Sequence, residues 1–162
     1  PAHLGVGWGH SNANINRRAI DINGKARLGL NPDGPVDRRI GILKIQHAET
    51  GKLMMLIANY AIHGTVLGGQ CTLISGDAPG IAAAHVEANT GAPLLFINGA
   101  AGNLAPIYSV YPSPEQGHLM EFEVLLGEKI LEAQEKIVPS RKDVRLKFGE
   151  VLFKTPRKEG LG

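Results

Sequence analysis

Three observations predict an α/β fold for this sequence, with a mixed β-sheet flanked by helices. Segments of strand length occur in both halves of the chain, and segments with helical periodicity separate the later ones. Two neighbouring strand segments are joined by a short turn, which predicts an antiparallel hairpin. A chain of 162 residues is long enough for one hydrophobic core. Residues 1–162 are therefore predicted to form a single α/β domain.

The first predicted strand covers residues 2–9. It alternates loosely and contains glycine at every second position from Gly5 to Gly9, which favours close approach by other backbone. Residues 11–39 are polar and rich in turn residues, so a long loop is predicted there. A loop of this length in a compact domain is usually functional or covers a neighbouring element.

A hairpin is predicted next. Residues 40–47 alternate between apolar and other side chains, and residues 52–62 are almost continuously apolar. Residues 49–51, with the sequence Glu-Thr-Gly, lie between them and are typical of a tight turn. The two strands are therefore expected to be antiparallel neighbours.

Two helices and two further strands are predicted in the second half. The first helix covers residues 77–89, with Asp77 as N-cap and Gly91 just after its end. A short strand at residues 93–97 follows, and alternation at residues 144–153 predicts a final strand.

The second helix, residues 113–137, begins with the capping-box spacing of Ser113. Its apolar positions are spaced three and four residues apart, which predicts a buried stripe. The stripe consists of Leu119, Phe122, Leu126, Ile130, Ala133 and Ile137.

The composition argues against several classes of partner. Seventeen basic and fifteen acidic residues leave a net charge of +2, too small to indicate nucleic acid or an anionic membrane as a partner. No apolar segment is long enough to span a bilayer, and the single cysteine, Cys71, cannot form an internal disulfide. Because the chain begins at Pro1, directly in strand-like sequence, we expect a segment of a longer protein. The compartment is left open.

His63 is the first candidate for a functional residue, because it follows an apolar strand and precedes a loop. It is either a histidine satisfied by the fold or a metal ligand or general base. Asp77 is more often an N-cap than a catalytic acid at such a position. Ser75 is a nucleophile only if a base reaches it.

Arg17 and the loop at residues 99–106 are the other candidates. Arg17 lies in a segment rich in asparagine and glycine, and it either forms a surface ion pair or binds a carboxylate or carbonyl oxygen. The glycine-rich loop lacks the spacing of a dinucleotide fingerprint. It is either a tight crossover or a nest of backbone amides for an anion or oxyanion. We expect His63, Asp77 and this loop to converge on one concave surface.

These segments together resemble the catalytic domain of the neutral/alkaline (non-lysosomal) ceramidase family. The resemblance covers roughly residues 1–137, and the matching pieces occur in the family's order and spacing. These pieces are Asn16-Arg17-Arg18, Asn31-Pro32, Val36-Asp37, Asn59-Tyr60-Ala61-Ile62-His63-Gly64-Thr65, Ile74-Ser75-Gly76-Asp77 with Gly80, and Gly99-Ala100-Ala101-Gly102-Asn103-Leu104-Ala105-Pro106.

The resemblance implies a fragment of a larger catalytic domain, from a zinc-dependent hydrolase that cleaves the amide of an N-acyl sphingoid lipid or a related substrate through metal-activated water. It implies that His63 binds Zn²⁺ and that Arg17 contacts the substrate near the scissile amide. Gly102 and Asn103, in the loop that aligns with the family's hexapeptide, are further substrate-binding candidates. The remaining zinc ligands are expected outside this chain, in the rest of the parent protein, and an exported location is the family's habit.

The chain also departs from the family's pattern. The hexapeptide Gly-Asp-Val-Ser-Pro-Asn aligns with residues 102–107, so Ala105 replaces the serine, Asn103 replaces the acid and Ile107 replaces the last asparagine. If that serine is the nucleophile, this chain is no ceramidase, whereas activation of water by the metal would tolerate alanine. The alternative function is therefore a non-catalytic binding or structural domain of the same fold.

Overall fold

The computed structural model describes residues 1–69, 71–109, 116–145 and 147–156. The strands are β1 (Ala2–His10), β2 (Asn14–Asn16), β3 (Arg18–Ile20), β4 (Ala26–Leu28), β5 (Arg39–His47), β6 (Leu53–Tyr60), β7 (Leu94–Asn98) and β8 (Leu104–Pro106). The α-helices are α1 (Asp77–Thr90) and α2 (Lys129–Glu135), and α2 is preceded by a 3-10 helix (Gln116–Glu121) and a π-helix (Glu123–Glu128).

The central sheet has four strands in the order β1-β5-β6-β7. Strand β5 is antiparallel to both β1 and β6, whereas β6 and β7 are parallel. The hairpin turn between β5 and β6 ends at Gly51, whose φ of 67° favours glycine because it has no Cβ. The mixed sheet and the predicted hairpin are thus confirmed.

The helices pack on one face of this sheet. Ile42, Leu56 and Tyr60 of the sheet are buried in the same cluster as Val86 of α1 and Ile130 of α2. Burial of apolar side chains from both layers is the main stabilising contribution to such a fold. The α/β prediction is therefore confirmed, with the helices lying on a single face.

The opposite face of the sheet carries large apolar side chains that remain exposed. Val6 and Trp8 of β1 are 61% and 67% exposed, and Leu95 and Ile97 of β7 are 51% and 47% exposed. An apolar surface of this extent on a sheet is typical of a face that packs against another layer. None of the helices in the described ranges is long and apolar enough to cross a membrane.

The glycines of β1 allow α2 to approach the sheet closely. A Cβ added at Gly7 would lie 2.5 Å from Ile137 Cγ1, and one added at Gly9 would lie 2.7 Å from the Cβ of Ala133. Backbone also approaches these glycines, since a Cβ at Gly5 would lie 3.1 Å from the Cα of Pro139. The close neighbours are therefore both side chains and backbone of α2 and of the segment that follows it.

Lys44 connects β5 to the end of α2. Its side chain is buried, and Nζ donates to the carbonyl oxygens of Gln134 and Ile137 at 3.0 and 3.3 Å. Burial lowers the pKa of Lys44 below its ordinary value. This contact ties the end of α2 and Ile137, just beyond it, to the sheet.

The predicted loop at residues 11–39 is only partly a loop. Within it, β3 pairs with β4, and β2 pairs with β8 with Asn14 opposite Pro106. Three-residue strands leave too short a pattern for alternation to show in the sequence. The turn at residues 31–34 is present, with Gly34 N donating to Asn31 O.

The predicted helix over residues 113–137 is interrupted. Ser113 lies outside the described residues, and the following segment changes from 3-10 to π to α geometry. Gly127 lies against His85 of α1 at the π-helix, where a Cβ would come within 2.9 Å of His85 Cδ2. The predicted stripe nevertheless faces the core: Phe122, Leu126, Ile130, Ala133 and Ile137 are buried, and Leu119 is half-buried.

The predicted strand at residues 144–153 is wrong for the residues that the structure describes there. They have no regular structure, and Phe148 and Leu152 are 94% and 84% exposed. A strand needs a neighbour for its backbone groups, and the bridge to β1 between Leu4 and Arg141 lies before this segment begins. Alternation alone does not supply that neighbour.

The π-helix offers a test of the packing. Leu126→Ala should lower the free energy of unfolding by about 3 kcal/mol, because a fully buried leucine leaves a cavity. Val124→Ala, two residues away and 63% exposed, should change it by less than about 0.5 kcal/mol. Urea denaturation followed by circular dichroism measures both, and equal losses would contradict the assigned faces.

Candidate active site

The parallel pair β6 and β7 brings two loops to the same edge of the sheet. His63 follows the end of β6, and residues 99–103 follow the end of β7. Because the carboxyl ends of parallel strands point the same way, side chains beyond them gather at one edge. Asn98 reinforces this edge, since its Oδ1 accepts a hydrogen bond from Ile62 N at 3.2 Å.

The ring of His63 is held in one orientation by a partner at each nitrogen. Nδ1 lies 2.8 Å from the carbonyl oxygen of Leu104, which only accepts, so Nδ1 carries the proton. Nε2 lies 3.1 Å from Nη2 of Arg17, which only donates, so Nε2 accepts. The two contacts together fit the tautomer with its proton on Nδ1 and its Nε2 lone pair directed at Arg17. The imidazole is half-buried.

Arg17 reaches His63 because β2 pairs with β8. Its backbone N donates to the oxygen of Asn103 at 2.8 Å, and its Nη2 also lies 3.3 Å from the oxygen of Gly102. Nη2 of Arg18 lies 3.1 Å from the same Gly102 oxygen. Two guanidinium groups therefore meet at one carbonyl group beside the imidazole.

Asparagine side chains hold this corner together. Nδ2 of Asn14 donates to the oxygens of Ala61 and Asp37 at 2.6 and 2.8 Å, so it ties β2 to the end of β6. Asn16 accepts from the backbone N of Arg18 through Oδ1 at 2.8 Å. The sequence interpretation missed Asn14 as a positioning residue, although its place in a polar segment next to Arg17 was a usable signal.

Asp77 supports the loop after His63. Its carboxylate is buried and accepts from the backbone N of Val66 and Leu67 at 3.0 and 2.9 Å, and from Ala78 N at 2.7 Å. The backbone φ of Asp77 is 52°, an uncommon value for a non-glycine residue. The hydrogen bonds of its carboxylate hold the residue in this conformation. The expectation that Asp77 is the N-cap of α1 is wrong, since Gly76 is the cap residue and Asp77 is the first residue of the helix.

Of the three predicted site elements, His63 and the loop at residues 99–106 meet directly. Asp77 contacts the segment that follows His63 and uses both carboxylate oxygens on backbone groups. Ser75 Oγ accepts from Asp77 N at 3.0 Å, and no base is among its contacts in the described part of the chain. Ser75 therefore lacks the activation that a nucleophile needs.

Ala105 lies inside the fold. It is 1% exposed in β8, where it pairs with Ile15 of β2. Next to the loop, a cavity of about 440 Å³ is lined by residues that include Pro35, Asp37, Arg39 and Asn103. Asn103 thus lines this cavity and also accepts from the backbone N of Arg17.

His63 has one feature that metal-binding histidines share. Its Nδ1 is bonded to a backbone carbonyl, as it is in many metal-binding histidines, whereas its Nε2 contacts Arg17 in this structure. No group of three histidine, cysteine, aspartate or glutamate side chains that could hold a metal occurs in the described ranges. Since a catalytic zinc site needs three protein ligands, these residues do not form one by themselves.

This chain is similar to known proteins in its three-dimensional structure. No protein-family model matches the chain, and no curated protein sequence matches it. The fold is similar to the crystal structure of neutral ceramidase from Pseudomonas aeruginosa, with 26% identity and a TM-score of 0.66, and to a structure of a ceramidase complexed with C2, with 26% identity and a TM-score of 0.67. In both cases the match covers 87% of this chain and 24% of the other.

The chain therefore has a ceramidase-like α/β fold and spans about a quarter of the length of these neutral ceramidase structures. The match supports the resemblance at the level of the fold.

The charges beside the cavity lead to a pH prediction. The guanidinium of Arg39, whose Nη2 lies 2.9 Å from Asp37 Oδ2, lowers the pKa of Asp37 to about 2. Arg39→Gln should raise this pKa toward the ordinary value of 3.8. A lowered pKa in the folded state stabilises it above about pH 3.8, and this contribution is lost as the pH falls toward 2.

An NMR titration of the carboxyl carbon measures this pKa. Arg27→Gln is the matched control, because Arg27 pairs with Asp21 and should leave the pKa of Asp37 unchanged. An unchanged midpoint in Arg39→Gln would contradict the assigned pair.

Proposed function

We propose that this chain is part of a ceramidase-like, zinc-dependent hydrolase that cleaves an amide, in an N-acyl sphingoid lipid or a related substrate. The observation that carries the proposal is the pair of hydrogen bonds at the ring of His63. In a ceramidase-like fold, its Nδ1–H is bound to Leu104 O, and its Nε2 is presented next to Arg17.

His63 is proposed as one zinc ligand through Nε2. The carbonyl of Leu104 fixes the ring orientation and keeps the proton on Nδ1, which makes Nε2 a better donor to a metal. When bound, zinc supplies a Lewis acid that polarises an acyl carbonyl and makes water nucleophilic near neutral pH. Metal binding at Nε2 also requires the imidazole to stay neutral, which the two present contacts favour.

Arg17 is proposed to bind the substrate beside His63. One lone pair cannot serve both a metal and a guanidinium, so Nη2 of Arg17 has to leave Nε2 when the metal binds. The backbone of Arg17 stays attached to Asn103 O, so its side chain remains close to the site. The released donors then bind the scissile carbonyl oxygen, where negative charge develops during attack. Gly102 and Asn103, which contact Arg17, are proposed to line the substrate site next to it.

The remaining zinc ligands are proposed to come from other parts of a longer protein. The chain spans about a quarter of the neutral ceramidase structures it matches. The exposed apolar face of the sheet, with Trp8 and Leu95, supplies a surface for such parts to cover. We propose that the same parts complete the substrate site.

A non-catalytic binding domain is the second candidate. Ala105 has no hydroxyl and is buried, so no nucleophile is available at the place of the family's serine. In addition, Arg17 already donates to the nitrogen that a metal would need. In this alternative the site binds a ligand through the arginines without hydrolysis.

Zinc titration of the full-length protein tests the proposal. Isothermal titration calorimetry should show one tightly bound zinc in the unmodified protein and at least a hundredfold weaker binding in His63→Ala, since a lost ligand leaves the metal incompletely coordinated. His10→Ala is the matched control, because His10 is exposed on β1 and should leave zinc affinity unchanged.

Hydrolysis is measured in the same variants with an N-acyl amide that releases a fluorescent amine. Turnover that requires zinc and is lost in His63→Ala supports the hydrolase. Equal zinc affinity after His63→Ala would remove His63 from the site, and ligand binding without turnover would favour the non-catalytic domain.

A further inference from the structure

The corner beside His63 carries positive charge without a compensating carboxylate. Nη2 of Arg17 and Nη2 of Arg18 lie 3.3 and 3.1 Å from the same oxygen of Gly102. His63 accepts from Arg17 and is neutral, so it offsets none of this charge. Two guanidinium groups that share one carbonyl oxygen repel each other unless an anion lies between or beside them.

Neither arginine forms an ion pair with a carboxylate in the ranges the structure describes. Other arginines of the same segment do: Arg27 lies 2.8 Å from Asp21, and Arg39 lies 2.9 Å from Asp37. Asn103, in the same loop as Gly102, is neutral and donates through Nδ2 to Pro35 O. The excess charge is therefore local to the site.

Arg17 also has an unsatisfied donor. Its Nε is buried and has no hydrogen-bond partner among the described residues. Leaving a buried donor unpaired costs about 1–3 kcal/mol, so such groups at a site often mark a missing acceptor. Neutral acceptors hold the rest of the side chain, namely the ring of His63 and the oxygen of Gly102.

We propose that the substrate of this site carries an anionic group, a carboxylate or a phosphate, close to the amide. Arg18 and the unpaired Nε of Arg17 bind this group, while Nη2 of Arg17 is left for the amide carbonyl. The inference rests on the proposed function for the position of the amide. Planar guanidinium groups bind the oxygens of carboxylate and phosphate in pairs. Arg17 contacts His63, so an anionic group bound to Arg17 lies close to His63. In the substrate, this group is therefore separated from the scissile amide by only a few bonds.

The substrate class is therefore an N-acyl amide whose amine part is acidic, such as an N-acyl amino acid or the amide of a phosphorylated amino alcohol. A neutral sphingoid amide provides hydroxyl groups only, which leave both charges uncompensated. Exposure of Arg18 to solvent suits this role, since an entering anion can reach it without a rearrangement of the core.

Calorimetric binding to the full-length protein tests this inference, with a zinc chelator present so that no ligand is hydrolysed. The probes are N-hexanoylglycine, N-hexanoyl-O-phosphoethanolamine and the neutral N-hexanoylglycinamide. Both anionic amides, or one of them, should bind about tenfold or more tightly than the neutral amide at low salt, and added salt should reduce the preference. The tighter of the two anionic probes identifies carboxylate or phosphate as the group.

Arg18→Gln should weaken binding of the preferred anionic probe about fivefold to tenfold and leave the neutral probe unchanged. Arg18→Lys keeps the charge and should retain most of the preference, which separates loss of charge from loss of folding. Arg27→Gln removes an arginine that is already paired with Asp21, and it should change neither affinity.

Equal affinity for the neutral and anionic probes would overturn the inference, and so would an anionic preference that survives Arg18→Gln. Either result leaves the zinc titration of His63 intact. Conversely, an anionic preference lost in Arg18→Gln, in a protein that binds no zinc, would support this inference and overturn the hydrolase.

Discussion

The parallel pairing of β6 and β7 is the constraint on which the candidate site depends. It places the end of β6, with His63, beside the end of β7, with the glycine-rich loop. A reversed β7 would send that loop to the other end of the sheet, and Leu104 would no longer reach His63 Nδ1. The buried strands, packed under α1, keep the two strand ends rigid.

Short polar contacts then build the corner on this rigid edge. Asn14 bonds the end of β6, and the pairing of β2 with β8 sets the backbone of Arg17 against Asn103. Asp77 holds the segment after His63 through two backbone N–H groups. Such contacts are stronger in a partly buried setting than in water, so two polar side chains and one backbone hydrogen bond can position a loop region that has little apolar packing.

The sheet is covered on one side only. Helix α2 and the residues after it pack against the glycines of β1, and Lys44 donates to carbonyl groups in this region. The face of the sheet that carries the helices is therefore covered. The outer face, with Trp8 and Leu95 exposed, lacks a second layer among the described residues. This asymmetry agrees with a chain that matches about a quarter of a neutral ceramidase structure, because sheets in larger α/β proteins are covered on both faces.

The sequence by itself determined the elements whose signals are local. Periodicity and turn chemistry predicted β5, β6, β7 and α1 close to their observed bounds, because Gly51 and Gly91 take the positive φ values at which chains turn or helices end. Tertiary structure decided whatever needs a distant partner. Residues 144–153 alternate, but the described residues there have no neighbouring strand. Strand β2 pairs with β8, which lies about ninety residues further along the chain. Asp77 binds backbone N–H groups of a loop, where the local pattern indicated a helix cap. The contact of Arg17 with His63 belongs to the same group, since hydrogen bonds across such separations leave no periodic trace in the sequence.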